Sequence, residues 1–224
     1  MTLIRKISGA AHSNHIHESA TKHVTGKAKY CDDITEPVGT LHAYLGVSDV
    51  AHATIKSMDL TAVKSMPGVI GTITTLDIPG MNDISPTGQN DEPVFPVDTV
   101  QFYGQPLFAV IAKTRKIARH AAKLAVIDYD ILPHALSISS AQNVGYPHVT
   151  APLKLESGNV DKIKSKGSNQ IKGEIAIGGQ DHMYLEGQIA FAVPGEDDDL
   201  IIHCSTQHPS EAQHMVAQVM GIPN

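Results

Sequence analysis

Ile177-Gly178-Gly179-Gln180-Asp181-His182-Met183-Tyr184-Leu185-Glu186-Gly187-Gln188 is the stretch on which the reading of this chain turns. An alternating run, Ile171, Gly173, Ile175 and Ile177, leads into it and has the period of a β-strand. Two glycines then free the backbone to pass close to another backbone or a ligand, because no Cβ stands in the way. Gln180 comes next with a neutral amide, two donors and one acceptor, and Asp181, His182 and Glu186 could hydrogen-bond around it. From the residues alone, a tight corner between two strands, its polar groups satisfying one another, is favoured over a ligand contact.

The rest of the chain sets the frame. It has 224 residues, of which 42% are hydrophobic and 18% charged, enough for one large or two modest domains. With aromatics at 4% and no Trp, the core must be aliphatic. A net charge of -6 argues against a nucleic-acid surface. No apolar run reaches membrane-spanning length, and the N-terminus has no signal-peptide pattern, so a cytoplasmic protein is expected. Cys31 and Cys204 lie far apart in sequence and are expected to stay reduced. His12, His15, His17 and His23 cluster in sequence without a ligand pattern, and His203, His208 and His214 share no face, so no metal site is assigned.

Hydropathy periods and turn residues give the elements. Residues 1–18 read as a flexible arm. Gly26 and the pair Asp32-Asp33 suggest turns around a short strand. Residues 41–47 and 52–58 read as two strands joined in a hairpin. Asp59 caps a short helix carrying Leu60 and Val63, stopped by Pro67-Gly68, and Val69–Ile78 is β-rich. Residues 79–100, with Pro79, Pro86, Pro93 and Pro96, form a long loop. The continuous apolar run Leu107–Ala112 predicts a central strand. Thr114 caps a helix whose inner face carries Ile117, Ala121, Leu124 and Ala125, with a basic, solvated outer face. A strand runs next through Val126–Leu132. Residues 145–169 read as a surface linker with one helical turn near Val160–Lys164. Strands over 188–193 and 200–204 flank an acidic turn, Glu196 to Asp199, which lacks the spacing of a calcium loop. Pro209 opens the last helix, and Gly221 with Pro223 closes it.

Several of these stretches resemble one family. Gly178 to Glu186 is similar to the segment that approaches molybdenum in the large subunit of the xanthine dehydrogenase/aldehyde oxidase family. Tyr30-Cys31-Asp32-Asp33, the small-residue helix feeding a strand that ends at Leu132-Pro133, and Ser205-Thr206-Gln207 opening a helix closed by Gly221-Ile222-Pro223 resemble the same family. The similarity runs from about residue 19 to the end. It implies an α+β fold: an arm over 1–18, an α/β-hammerhead domain over 19–135, a linker over 136–170, and over 171–224 the incomplete start of a molybdopterin-binding domain.

Family members hydroxylate purines with oxygen from water at a pterin-held molybdenum, and electrons leave through iron–sulfur clusters and FAD to NAD. By resemblance Gln180 approaches the metal's oxo ligand, where a neutral amide can donate and a carboxylate would repel. Gly178 and Gly179 give backbone approach, and His182 and Glu186 support from behind. The glycine-rich run for pterin contact and the glutamate general base fall outside the matched residues. The expectation is therefore the N-terminal portion of a molybdenum-binding subunit, inactive by itself and binding no cofactor. Its partners would be the remainder of that subunit and the iron–sulfur/FAD part. Self-association through uncovered edges is also expected. An aldehyde oxidase-type parent, or a non-catalytic docking module, are the competing readings.

Overall fold

The computed structural model describes residues 16–148, 150–167, 169–197 and 199–223. In chain order the helices and strands are α1 (Ala20–Val24), β1 (His42–Val47), β2 (Ala53–Asp59), α2 (Thr61–Ser65), β3 (Val69–Ile73), β4 (Thr99–Val100), β5 (Pro106–Ala112), α3 (Arg115–Ala122), β6 (Val126–Ile131), α4 (Ile138–Val144), α5 (Val160–Lys166), β7 (Ala190–Pro194), β8 (Leu200–Cys204) and α6 (Pro209–Met220). The chain divides into two units. The larger comprises Gly39–His182 with Pro209–Asn224, the smaller Met1–Val38 with Met183–His208. No helix among the described residues is long and apolar enough to cross a membrane. Residues 1–15 of the expected N-terminal arm lie outside the described residues.

The larger unit holds two antiparallel sheets, ordered β1-β5-β3 and β4-β2-β6. The apolar run of β5 takes the central position expected of it. Leu107, Phe108, Val110 and Ala112 are fully or almost fully buried. α3 packs on β1 and β5. Thr114 caps it, its hydroxyl accepting the Ile117 N–H at 3.2 Å. Ala118 and Ala121 are the residues it buries. Leu124, expected on that face, lies beyond the helix end and is 41% exposed.

The hairpin expected between residues 41–47 and 52–58 does not form. β1 pairs with β5, and β2 pairs with β4 and β6, in separate sheets. The reason lies where the hairpin would close. Ser48 donates its N–H to the Gln105 carbonyl at 2.9 Å and accepts the Gly104 N–H at 2.9 Å, while its hydroxyl donates to the Val50 carbonyl at 2.8 Å. The backbone that a hairpin turn would consume is thus bound to the corner leading into β5. Ser48 and Gln105 are almost wholly buried, which makes these bonds costly to leave unmade.

Other departures are local. Asp59 does serve the start of α2, its carboxylate accepting the Thr61 N–H at 2.8 Å, but Leu60 occupies the cap position. The β-rich run after Gly68 stops at Ile73, because Thr74 and Asp77 bond reciprocally and turn the chain. The expected linker carries a helix the periodicity had not indicated, α4, capped by Ser137 and closed by Gly145 at φ 74°. α5 extends the turn expected near Val160.

In the smaller unit, α1 and a 3-10 turn over Cys31–Asp33 replace the short strand expected around Gly26. The turn is tied by Tyr30, whose N–H donates to the Asp33 carboxylate at 2.9 Å. β7 and β8 form the expected strand pair, with Ala190 opposite Cys204 and Pro194 opposite Leu200. Between them Gly195 donates its N–H to the Asp199 carbonyl at 2.7 Å; Asp198 of the expected acidic turn lies outside the described residues.

Candidate functional site

Residues 171–182, read as a strand that delivers the motif, carry no regular structure. Ile171, Ile175 and Ile177 are 101%, 82% and 75% exposed. A strand exists only where a neighbouring edge takes its N–H and C=O groups. None of the three sheets gains a strand from these residues.

Gly178 and Gly179 continue the same exposed backbone. A Cβ built on either would meet no atom within 4 Å, so neither glycine serves a close approach among the described residues. Gln180 and Asp181 are exposed and have no hydrogen-bond partner among the described residues; His182 is exposed as well. The corner of mutually satisfied polar groups does not form around Gln180.

Glu186 is engaged differently. It belongs to the smaller unit and is half-buried there, and its Oε1 accepts the Cys31 N–H at 2.8 Å. It therefore tethers the Tyr30–Asp33 turn to the chain leading into β7. Beside it, the Ser205 hydroxyl donates to the Gly187 carbonyl at 2.9 Å. Burial, and then the Glu186 carboxylate, push the Cys31 thiol above its usual range. Both cysteines are free thiols. Among the described residues no three His, Cys, Asp or Glu side chains converge on a point that could hold a metal ion.

As a cofactor site these residues are incomplete. They offer one uncommitted amide and two glycines with open space around them. Among the described residues no walled cradle of donors surrounds them.

The sheets of the larger unit, with the helices α2 and α3, are those of an α/β-hammerhead, and the residues beyond them open a cofactor-binding domain. Residues 25–133 match the family described as aldehyde oxidase and xanthine dehydrogenase, a/b hammerhead domain, and residues 142–224 match the molybdopterin cofactor-binding domain. The xanthine dehydrogenase of Oryza sativa subsp. japonica is 39% identical over 211 residues, covering 93% of this chain and 15% of the relative. The xanthine dehydrogenase/oxidase of Felis catus is 39% identical over 209 residues, covering 92% and 15%. Among solved structures, the aldehyde oxidoreductase of Desulfovibrio gigas superposes with a TM-score of 0.79 at 27% identity, over 92% of this chain and 25% of that one. The chain belongs to the xanthine dehydrogenase/aldehyde oxidase family of molybdenum hydroxylases. It spans about 15% of the length of the curated relatives named here.

Two groups of residues that order the larger unit have no clear signature in the sequence. One is the Ser48–Gln105 exchange at the corner into β5. The other is a network inside the long loop, built by Asn82 and Ser85. Turn-forming Asn, Asp and Ser between prolines signal such a network, but not which backbone groups it binds.

Proposed function

We propose that this chain is the N-terminal portion of the molybdenum-binding part of a xanthine dehydrogenase. In complete form that enzyme hydroxylates xanthine and hypoxanthine with oxygen from water and passes the electrons through iron–sulfur clusters and FAD to NAD. The observation that carries the reading is 39% identity to curated xanthine dehydrogenases across more than nine-tenths of the chain. Domain limits of 19–135 and 171–224, joined by a linker over 136–170, belong to the same proposal, as does a cytoplasmic location.

Gln180 is proposed to face the molybdenum in the complete enzyme, with Gly178 and Gly179 allowing the backbone to approach and His182 behind them. Exposure of these residues supports this: the Gln180 amide has no hydrogen-bond partner among the described residues. The pterin-held metal supplies the redox chemistry when bound. Gln180 contributes a neutral donor, and the remainder of the subunit has to supply the base and the pterin cradle. Alone, the chain is proposed to be inactive and to associate with itself through the uncovered apolar residues 171–187.

The test is to purify the full-length parent and measure urate formation from xanthine with NAD as acceptor. Urate formation is expected. Oxidation of aldehydes with none of xanthine would favour the aldehyde oxidase-type reading, to which the likeness to the Desulfovibrio gigas structure lends support. The isolated 224-residue chain, grown with molybdate, is expected to hold no stoichiometric molybdenum by elemental analysis.

A further inference from the structure

The end of α6 is held by a loop more than a hundred residues away in sequence. A helix leaves its last carbonyls without partners, and α6 answers in two ways. Its own chain closes with Gly221 at φ 66°. Ile222 donates its N–H to the Ala217 carbonyl at 3.0 Å and Gly221 donates to the Gln218 carbonyl at 3.3 Å. This is the paired bond pattern of a glycine-terminated helix. The Val219 carbonyl is left over, and Gly80 of the long loop donates its N–H to it at 2.9 Å. Met81 donates to the Gln218 carbonyl, also at 2.9 Å. The Gln218 amide reaches back, its Nε2 donating to the Asp83 carbonyl at 3.3 Å and lying 3.2 Å from the Met81 sulfur.

Position 80 admits no side chain. A Cβ there would overlap the Gln218 carbonyl and crowd the Gly221 nitrogen and the Val219 carbonyl, all backbone atoms that cannot swing aside. By contrast, a Cβ at Gly71 on β3 meets nothing.

The loop that presents Gly80 is braced from within. The Asn82 amide donates to the Phe95 carbonyl at 2.7 Å and to the Thr75 hydroxyl at 3.1 Å, and its oxygen accepts the Phe95 N–H at 3.1 Å. The Ser85 hydroxyl accepts the N–H groups of Asp91 and Glu92 at 2.9 and 2.8 Å and donates to the Asp83 carboxylate at 2.5 Å. Asp83 and Phe95 are both 5% exposed. The 79–98 loop thus presents a rigid edge rather than a slack connection.

We infer that this loop is a clamp that couples the two regions matched by different families: Gly80 lies within residues 25–133, and α6 within residues 142–224. Gly80 is its positioning residue. The clamp sets where helix α6 of the molybdopterin-binding region lies on the hammerhead, whatever substrate the complete enzyme takes.

Hydrogen exchange on the 224-residue chain tests it, comparing the wild type with Gly80→Ala, Gln218→Leu and Gly71→Ala. Two shared backbone bonds predict that Gly80→Ala lowers protection of residues 79–84 and 217–222 roughly tenfold or more while β5 stays protected. Gln218→Leu adds no atoms to the crowded backbone contact and is expected to loosen the same two segments to a smaller degree. It carries the test should Gly80→Ala fail to fold. Gly71→Ala is expected to leave both segments as they are. The inference is overturned if Gly80→Ala and Gln218→Leu leave both segments at wild-type protection. It is equally overturned if they loosen β5 as much as the loop and helix.

Discussion

Residues 106–112 and residues 171–177 both carry an apolar pattern suited to a strand, the first continuous and the second alternating, and they have opposite fates. The first is the centre of a sheet, with a strand on each side and a helix above it. The second is unpaired and exposed along its length. The contrast shows that an apolar pattern states a demand for burial but does not supply the surface that meets it. β5 finds β1 and β3 within the chain. The 171–177 segment finds no edge among the described residues, although β-branched Ile at every second or fourth position suits a strand equally well.

The largest effect that could break this comparison is at Phe108, which is 1% exposed. Phe108→Ala is expected to destabilise the chain by about 3–5 kcal/mol in chemical denaturation, whereas Ile175→Ala should stay within about 0.5 kcal/mol of wild type. Equal losses at the two positions would mean that the 171–177 segment is packed in solution. A smaller effect is expected from Gly46→Ala, since the new Cβ would overlap the outer edge of the Phe108 ring. The measured loss should be about 1–3 kcal/mol, with the ring displaced. Thr114→Ala removes the hydroxyl that accepts the Ile117 N–H and should cost about 1 kcal/mol, read as a lower melting temperature.

The mildest prediction concerns pH. Side-chain and backbone hydrogen bonds from Thr61 hold the Asp59 carboxyl below the usual carboxylate range, and backbone and side-chain bonds from Thr74 do the same for Asp77. A folded-state value below the unfolded one contributes stability above the unfolded pKa, near about 4, and loses it as pH falls through the folded value. The chain should therefore weaken on acidification below about pH 4. The double variant Asp59→Asn with Asp77→Asn should flatten that limb in a pH series of denaturation midpoints.

Much of the fold could be read from local pattern. Leu107–Ala112, the Thr114 cap, the β7–β8 pair and the Pro209–Gly221 helix all rest on signals within a dozen residues: an apolar run, a hydroxyl before a helix, a turn, a glycine free to take positive φ. What failed were statements about partners. The hairpin of β1 with β2 was the shortest connection, yet Ser48 gives its backbone to Gln105 and Gly104, more than fifty residues on. The candidate site divides in the same way. Gly178, Gly179, Gln180 and His182 are assigned to an approaching ligand by resemblance, and their role there is part of the proposal. The engagement of Glu186 with the Cys31 backbone could not be read from local pattern, because the two lie 155 positions apart.

The amino-acid sequence by itself determined the period of each segment, the caps and turns that bound it, the aliphatic character of the core and the motifs by which the family is known. Those are near-neighbour properties, decided by φ/ψ preference, side-chain shape and hydrogen bonds reaching a few residues. Only the tertiary structure decided which edge each strand takes, that Gly80 must be bare because a helix end lies against it, and that Gly178 and Gly179 answer to nothing in the described chain. Those outcomes depend on which unsatisfied backbone groups and apolar faces meet in space, and sequence distance does not rank such meetings.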